Sequence, residues 1–302
     1  MRTSWSGIHS VLVTPFRKDG SVDVDRYRTF VETNIANGAD GVIVAGSTGE
    51  FYAMSLAERR ILLSAAVEQS AGRVPVLAGV SDLLESNVLA MCEAAEATGC
   101  AGILALPPIY AMPSPRETHA FYRRLASATR LPIMLYNSPR RTGVDLLPEH
   151  VEALLELPSV VSIKDSSGNI VQVSQLVQRV GGELAVFVGY ETMIRPALAV
   201  GAVGVVAMAH QLSGRLVRGY FDACREGDGD TIARLEPALF AIYRCFQSGS
   251  YYASIKATMN ALGLEAGDPR PPLLPATPDQ AAKIDGILAE AGVAAAIAGA
   301  KG

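Results

Sequence analysis

The sequence predicts an α/β protein, a (β/α)8 TIM barrel followed by a C-terminal helical extension. Two observations predict the barrel. Short runs rich in Val, Ile and Leu alternate with longer amphipathic segments, and the alternation recurs eight times, roughly every 25 to 35 residues. The eight units end near Arg225, close to the roughly 250 residues typical of such barrels. A third observation argues against an open, nucleotide-binding sheet: the first run leads into Thr14-Pro15-Phe16 and not into a glycine fingerprint.

Taken in order, the expected strands are Ile8–Val13, Gly41–Ala45, Val74–Gly79, Gly102–Leu106, Ile133–Tyr136, Val160–Lys164, Leu184–Val188 and Val203–Ala207. Each is too continuously apolar to have one wet face, which is the mark of parallel strands covered by helices. Helix starts fall between them. Ser55 stands three residues before Glu58 in a capping-box pattern, Ser114 precedes Pro115, Pro148-Glu149 opens a helix over Glu149–Leu157, and Asp165–Asn169 reads as a turn ending in a helix cap. Residues 1–225 therefore form the barrel and residues 226–302 the extension. Its helices are expected at Asp230–Gln247, Tyr251–Leu262 and Pro278–Ala291, with a proline-rich linker over Gly267–Pro275 and a tail from Gly292 that frays.

Composition narrows the function. The chain has 302 residues, 49% of them hydrophobic and 19% charged, with net charge −4, enough for a large core and without a basic stripe for nucleic acid. A small-molecule partner follows. Cys92, Cys100, Cys224 and Cys245 lack metal-site or disulfide-scaffold spacing, so a reducing, cytoplasmic setting is expected. Met1–Ser10 has no apolar signal-peptide core, and the stretch Pro196–Met208 is too short and glycine-interrupted to cross a membrane. His9, His119, His150 and His210 show no metal-ligand spacing, so no metal is expected.

Lys164 closes the sixth strand. Desolvation disfavours the ammonium form of a lysine at the mouth of a buried strand, which frees an amine to attack a ketone. The bland alternative is that it snorkels to solvent or pairs with Asp165. The other strand ends carry Gly46-Ser47-Thr48-Gly49-Glu50, Tyr110, Tyr136-Asn137 and Gly189-Tyr190-Glu191, at the end where barrel enzymes build their sites. The Gly46–Glu50 loop offers backbone N–H groups and two hydroxyls to a carboxylate, or is a plain turn. Tyr136 either moves protons to and from a carbinolamine or packs its ring. Arg141 either forks onto a second substrate carboxylate or forms a surface ion pair.

Gly46-Ser47-Thr48-Gly49-Glu50, Tyr136-Asn137 with Pro139 and Arg141-Thr142-Gly143, and Ile163-Lys164-Asp165-Ser166-Ser167-Gly168-Asn169 resemble the dihydrodipicolinate synthase and N-acetylneuraminate lyase family, from Gly7 to about Ala291. The resemblance implies a pyruvate-dependent class I lyase without a cofactor, in which Lys164 forms the imine and Tyr136 shuttles protons. Ser47 would link Tyr136 to Tyr110, a tyrosine that in the family is lent by a neighbouring subunit. Ser47 and Thr48, with the backbone at Gly46 and Gly49, match the positions holding the keto acid's carboxylate, and Val206 matches an apolar wall. A homo-oligomer, a dimer of dimers, is implied as well.

On the second substrate the resemblance divides. Arg141 matches the arginine that synthases use toward aspartate semialdehyde. Gly189-Tyr190-Glu191 and Ser47 lean toward the neuraminate lyases. Phe51, Tyr52 and Leu56 stand where lysine-inhibited synthases carry small or polar residues. The expected activity is synthase-like aldol addition. The alternatives are a sugar-acid or hydroxy-oxo-acid aldolase, a dehydratase or deaminase on the same imine, a metal-dependent lyase, or a binding protein with a dead site.

Overall fold

The computed structural model describes residues 5–299. Eight parallel strands pair in sequence order, and β8 returns to β1 through Gly7 opposite Gly204 and Ser10 opposite Ala207, so the sheet is a closed barrel. The first half runs β1 (Gly7–Val11), α1 (Val24–Ala36), β2 (Gly41–Val44), α2 (Leu56–Ser70), β3 (Val76–Gly79), α3 (Glu85–Thr98), β4 (Gly102–Ala105) and α4 (Pro115–Ala128). The second runs β5 (Ile133–Asn137), the single turn α5 (Pro139–Thr142), α6 (Pro148–Ala153), β6 (Val160–Asp165), α7 (Ile170–Val180), β7 (Ala185–Val188), α8 (Ile194–Ala199), β8 (Gly204–Ala207) and α9 (His210–Glu226). Apart from Gly7 and Ala185, every strand residue is buried, as the unbroken apolar runs require.

The sequence marks most of the boundaries. Ser55 and Ser114 close full capping boxes with Glu58 and Glu117, and Asn169 caps α7 by accepting from the N–H groups of Val171 and Gln172. The third strand starts at Val76 and not at Val74, because Pro75 has no N–H to give a ladder. The helix expected over Glu149–Leu157 tightens into a 3-10 turn at Leu154–Glu156, since Pro158 forces Leu157 into extended backbone.

Beyond α9 come α10 (Gly229–Cys245), α11 (Tyr251–Ala261), α12 (Pro278–Glu290) and α13 (Val293–Gly299). The last corrects an expectation: the tail from Gly292 does not fray but forms a helix through Gly299, packed on α9, α10 and α12 with Val293 fully buried. Alanine's high helix propensity and one buried anchor suffice.

His9 and His210 are both buried. His9 stacks edge-on against Phe187 at 5.0 Å, and the Nδ1 of His210 lies 2.9 Å from the Asn34 side-chain oxygen, which also accepts from Ser10 at 2.7 Å. Burial pushes both imidazoles down from 6.5 to about 4. The unfolded chain therefore binds more protons than the folded one between those values. Stability is full above pH 6.5 and falls toward pH 4 by about 3 kcal/mol for each histidine. We expect the melting temperature to drop over this window and its slope to shrink in His9→Gln; an unchanged slope in that variant would remove His9 from the account.

Candidate active site

The site begins with a register shift. The β5–β6 pairing slips by one residue between Ile133 and Met134, with Val161 as the extra residue on β6, and this brings Tyr136 opposite Lys164 and Asn137 opposite Asp165. Paired residues of parallel neighbours share a face, and the next pair takes the other face. Tyr136 and Lys164 thus point together into the barrel mouth, with the lysine amine 4.0 Å from the centre of the phenol ring. Asn137 and Asp165 turn outward and bond to each other at 2.9 Å, while Asp165 also accepts from the N–H of Ser167 at 3.0 Å.

Lys164 neither snorkels to solvent nor pairs with Asp165. Its neighbour Asp165 is occupied on the opposite face, and among the described residues Lys164 has no ion-pair partner although it is buried. Lys256, the other buried lysine of the region, is paired: its amine lies 2.7 Å from Glu50 and donates to the Asp268 carbonyl at 3.0 Å. The unpaired amine has room because of Gly189, where a Cβ would stand 3.0 Å from the Lys164 Cε and 1.9 Å from the Ser166 hydroxyl. Burial would raise the Tyr136 phenol, but the adjacent Lys164, then Arg141, and hydrogen bonding with Ser138 and Ser47 bring it down to about 8.

A cavity of about 510 Å³ opens above this pair. Of the residues singled out in the sequence, Ser47, Thr48, Tyr136, Arg141, Lys164, Gly189, Tyr190 and Val206 line it. Four others do not. The N–H groups of Gly49 and Glu50 bond back to Gly46 and Ser47 at 3.0 and 3.1 Å, closing a 3-10 turn, so Ser47 and Thr48 alone face the cavity and Gly46 and Gly49 are turn residues. Glu191 is buried beneath the site, where one carboxylate oxygen accepts from the backbone N–H groups of Met208 and Ala209 at the start of α9. It orients the β8–α9 turn and does not line the cavity. Tyr110 is 89% exposed and does not line this chain's cavity.

The far wall, which no strand-end position marks, comes from the extension. Tyr243, Phe246, Gln247 and Gly249 from the end of α10 and the turn after it, with Tyr251 and Tyr252 at the start of α11, complete the cavity. Their rings form a continuous chain from Tyr190 to Tyr243 at 6.2 Å, through Phe246 and Tyr251, to Tyr252 and on to Tyr52 at 5.7 Å. The Arg141 guanidinium lies over Tyr252 at 4.7 Å and Tyr251 at 5.4 Å, held by cation–π contact above the cavity. A cluster of four rings within the ten residues from Tyr243 to Tyr252 was the available signal. Ser138, Arg140 and Ser166 also line the cavity, each beside a residue already singled out.

Among the described residues no three His, Cys, Asp or Glu side chains gather to hold a metal, and no helix is long and apolar enough to cross a membrane. A closed barrel whose strand ends present an unpaired buried amine against a phenol is the apparatus of a class I lyase, an enzyme that works on carbon–carbon bonds through a lysine imine. The chain belongs to the dihydrodipicolinate synthetase family, whose model matches residues 4–291. It is 36% identical to an uncharacterized DapA-like lyase of Rhizobium meliloti, over 91% of this chain and 92% of that one. It is 33% identical to the 4-hydroxy-tetrahydrodipicolinate synthase of Desulforamulus reducens, over 92% and 95%. Dihydrodipicolinate synthase from Acinetobacter baumannii, solved in complex with pyruvate, superposes with a TM-score of 0.90 at 26% identity, covering 95% of this chain and 99% of that one. The protein is a lyase of the pyruvate-dependent, dihydrodipicolinate synthase-like type acting on small molecules.

Proposed function

We propose that the protein adds pyruvate to an aldehyde bearing a distal carboxylate, as a 4-hydroxy-tetrahydrodipicolinate synthase does, and that it needs no cofactor because the imine on Lys164 is the electron sink. Ser47 and Thr48 hold the pyruvate carboxylate. The Lys164 amine attacks the ketone, and Tyr136 protonates the departing hydroxyl of the carbinolamine. Loss of a C3 proton then gives the enamine that attacks the aldehyde.

The observation that carries the choice of aldehyde is Arg141, whose guanidinium is fixed over two rings at the cavity wall and is free to fork onto a carboxylate. Arg141→Ala is expected to lower kcat/KM for carboxylate-bearing aldehydes by about 10- to 100-fold more than for polyol aldehydes, the worth of a charge-assisted hydrogen bond. An equal loss across an aldehyde panel, followed by product NMR, would refute the assignment. One observation favours a second reading, a sugar-acid aldolase: Tyr190, Tyr243, Gln247, Tyr251 and Tyr252 give the wall a row of groups suited to a polyhydroxylated chain.

Tyr110 sits at φ 70°, a left-handed conformation disfavoured for a bulky residue, and is exposed beside the exposed Met112, while Leu83 and Leu84 are exposed on the preceding βα loop. This apolar surface supports a homo-oligomer in which these loops meet a second copy. All four cysteines are free thiols, three of them buried, which supports a reducing, cytoplasmic setting.

A further inference from the structure

We propose that Gln172 and Asp145 are positioning residues for the imine chemistry: with Asn137 and Asp165 they close a ring of two amides and two carboxylates behind the site, and this ring sets Lys164 against Tyr136. The inference rests on the pyruvate-imine reading of Lys164 and adds to it what holds the amine at its working distance.

Because the β5–β6 pairing slips between Ile133 and Met134, the alignment at the strand starts does not dictate which residues meet at the strand ends. A shift of one residue would set Tyr136 opposite Ile163 or Asp165, whose side chains take the other face. The pairing must be pinned beyond the slip. The pair next to Tyr136 and Lys164 is Asn137 with Asp165, and there the side chains do the pinning.

Asn137 is fully buried and its side chain is fully used. Its carbonyl oxygen accepts from the backbone N–H of Leu146 at 2.9 Å, which fixes the orientation of the amide. Its Nδ2 donates to Asp165 Oδ2 at 2.9 Å and to Asp145 Oδ1 at 2.8 Å. Gln172, in the first turn of α7, repeats the pattern with Nε2, at 2.9 Å from the same oxygen of Asp145 and 3.4 Å from the same oxygen of Asp165. Each amide thus bridges both carboxylates. The other Asp165 oxygen is taken by the backbone N–H and hydroxyl of Ser167.

Two carboxylates held this close repel unless the shared N–H groups stay between them, so a ring satisfied on every side is rigid. It ties the loop after α5, which carries Asp145, and the start of α7 to the ends of β5 and β6. The ladder continues past it, with the N–H of Ser166 on the Asn137 carbonyl and that of Gly189 on the Asp165 carbonyl, both at 2.8 Å. None of the four side chains lines the cavity. They act through the backbone of Tyr136 and Lys164, one residue away.

The test times imine formation on the full chain with pyruvate, by borohydride quench and intact mass, in wild type, Gln172→Leu, Asp145→Ala and the double variant. The melting transition of each is recorded alongside. Leucine keeps much of the bulk of Gln172 and removes its N–H groups, while Asp165 keeps its bonds from Asn137 and Ser167, so the variant should fold. Its maximal rate of imine formation should fall by about 10- to 100-fold, the cost of a reacting group set about 1 Å out of place. The half-saturating pyruvate concentration should change far less, because Ser47 and Thr48 lie after β2, outside the ring. Since both residues act through one ring, the double variant should be no slower than the slower single one. Asp145→Asn, which keeps the accepting oxygen, should recover most of the rate lost in Asp145→Ala.

A wild-type rate in Gln172→Leu with a lowered melting temperature would make the ring merely structural and overturn the proposal. Losses that multiply in the double variant, or an Asp145→Asn as slow as Asp145→Ala, would overturn it too. If Gln172→Leu does not melt cooperatively, Gln172→Asn, which keeps the amide but draws it back by one methylene, takes its place with the same expected loss. If wild type itself gives no adduct, the pyruvate-imine reading fails first, and this inference falls with it.

Discussion

Lys164→Ala is expected to abolish both the pyruvate adduct trapped by borohydride and turnover, the latter by about 10,000-fold or more, since among the described residues no other lysine lines the cavity. The variant should also fold. Lys164 has no ion-pair partner among the described residues, so its removal strands no buried carboxylate, whereas removal of Lys256 would leave Glu50 alone in the interior. Intact mass after reduction, compared between wild type and variant, reads the first part, and the melting transition reads the second. An adduct of the same mass on Lys164→Ala would move the imine to another amine and end the assignment. A variant that fails to melt cooperatively would mean that the lysine stem is needed as packing.

The barrel was legible in the sequence because all eight strands are buried on both faces. Such strands appear as unbroken apolar runs, which composition alone can mark, and the caps Ser55, Ser114 and Asn169 marked where three helices start. The near wall of the site was legible for a related reason: residues at strand ends converge whatever the loops do, so Ser47, Tyr136, Lys164 and Gly189 could be placed together without coordinates. What sequence spacing does not carry is direction. Glu191 follows two residues that do line the cavity, yet its carboxylate turns under the barrel mouth to backbone N–H groups of the β8–α9 turn. Tyr251 and Tyr252 lie nearly a hundred residues after Lys164, and only the packing of α10 and α11 over the mouth brings them to it. Nothing in the sequence around Lys256 marks its partner Glu50, which lies more than two hundred residues earlier.

Tyr136→Phe should separate chemistry from packing at the centre of the site. The substitution keeps the ring face that lies 4.0 Å from the Lys164 amine and removes only the hydroxyl, so the fold and the cation–π contact survive while the proton donor is lost. Turnover is expected to fall by about 100- to 10,000-fold, the range of a general acid–base group. The pH dependence gives the sharper reading. Burial alone would keep the phenol protonated well past neutrality, but the charges of Lys164 and Arg141 and the hydrogen bonds with Ser138 and Ser47 bring it to about 8. Expulsion of water from the carbinolamine needs the protonated phenol, and at subsaturating pyruvate the pH profile reports the groups of the free enzyme, so the second-order rate of imine formation should decline as pH rises through about 8 in wild type. That limb should vanish in Tyr136→Phe, whose slow residual rate draws its proton from water. If the limb persists at the same pH in the variant, it belongs to another group, and Tyr136 serves the site only as the surface on which the lysine amine rests.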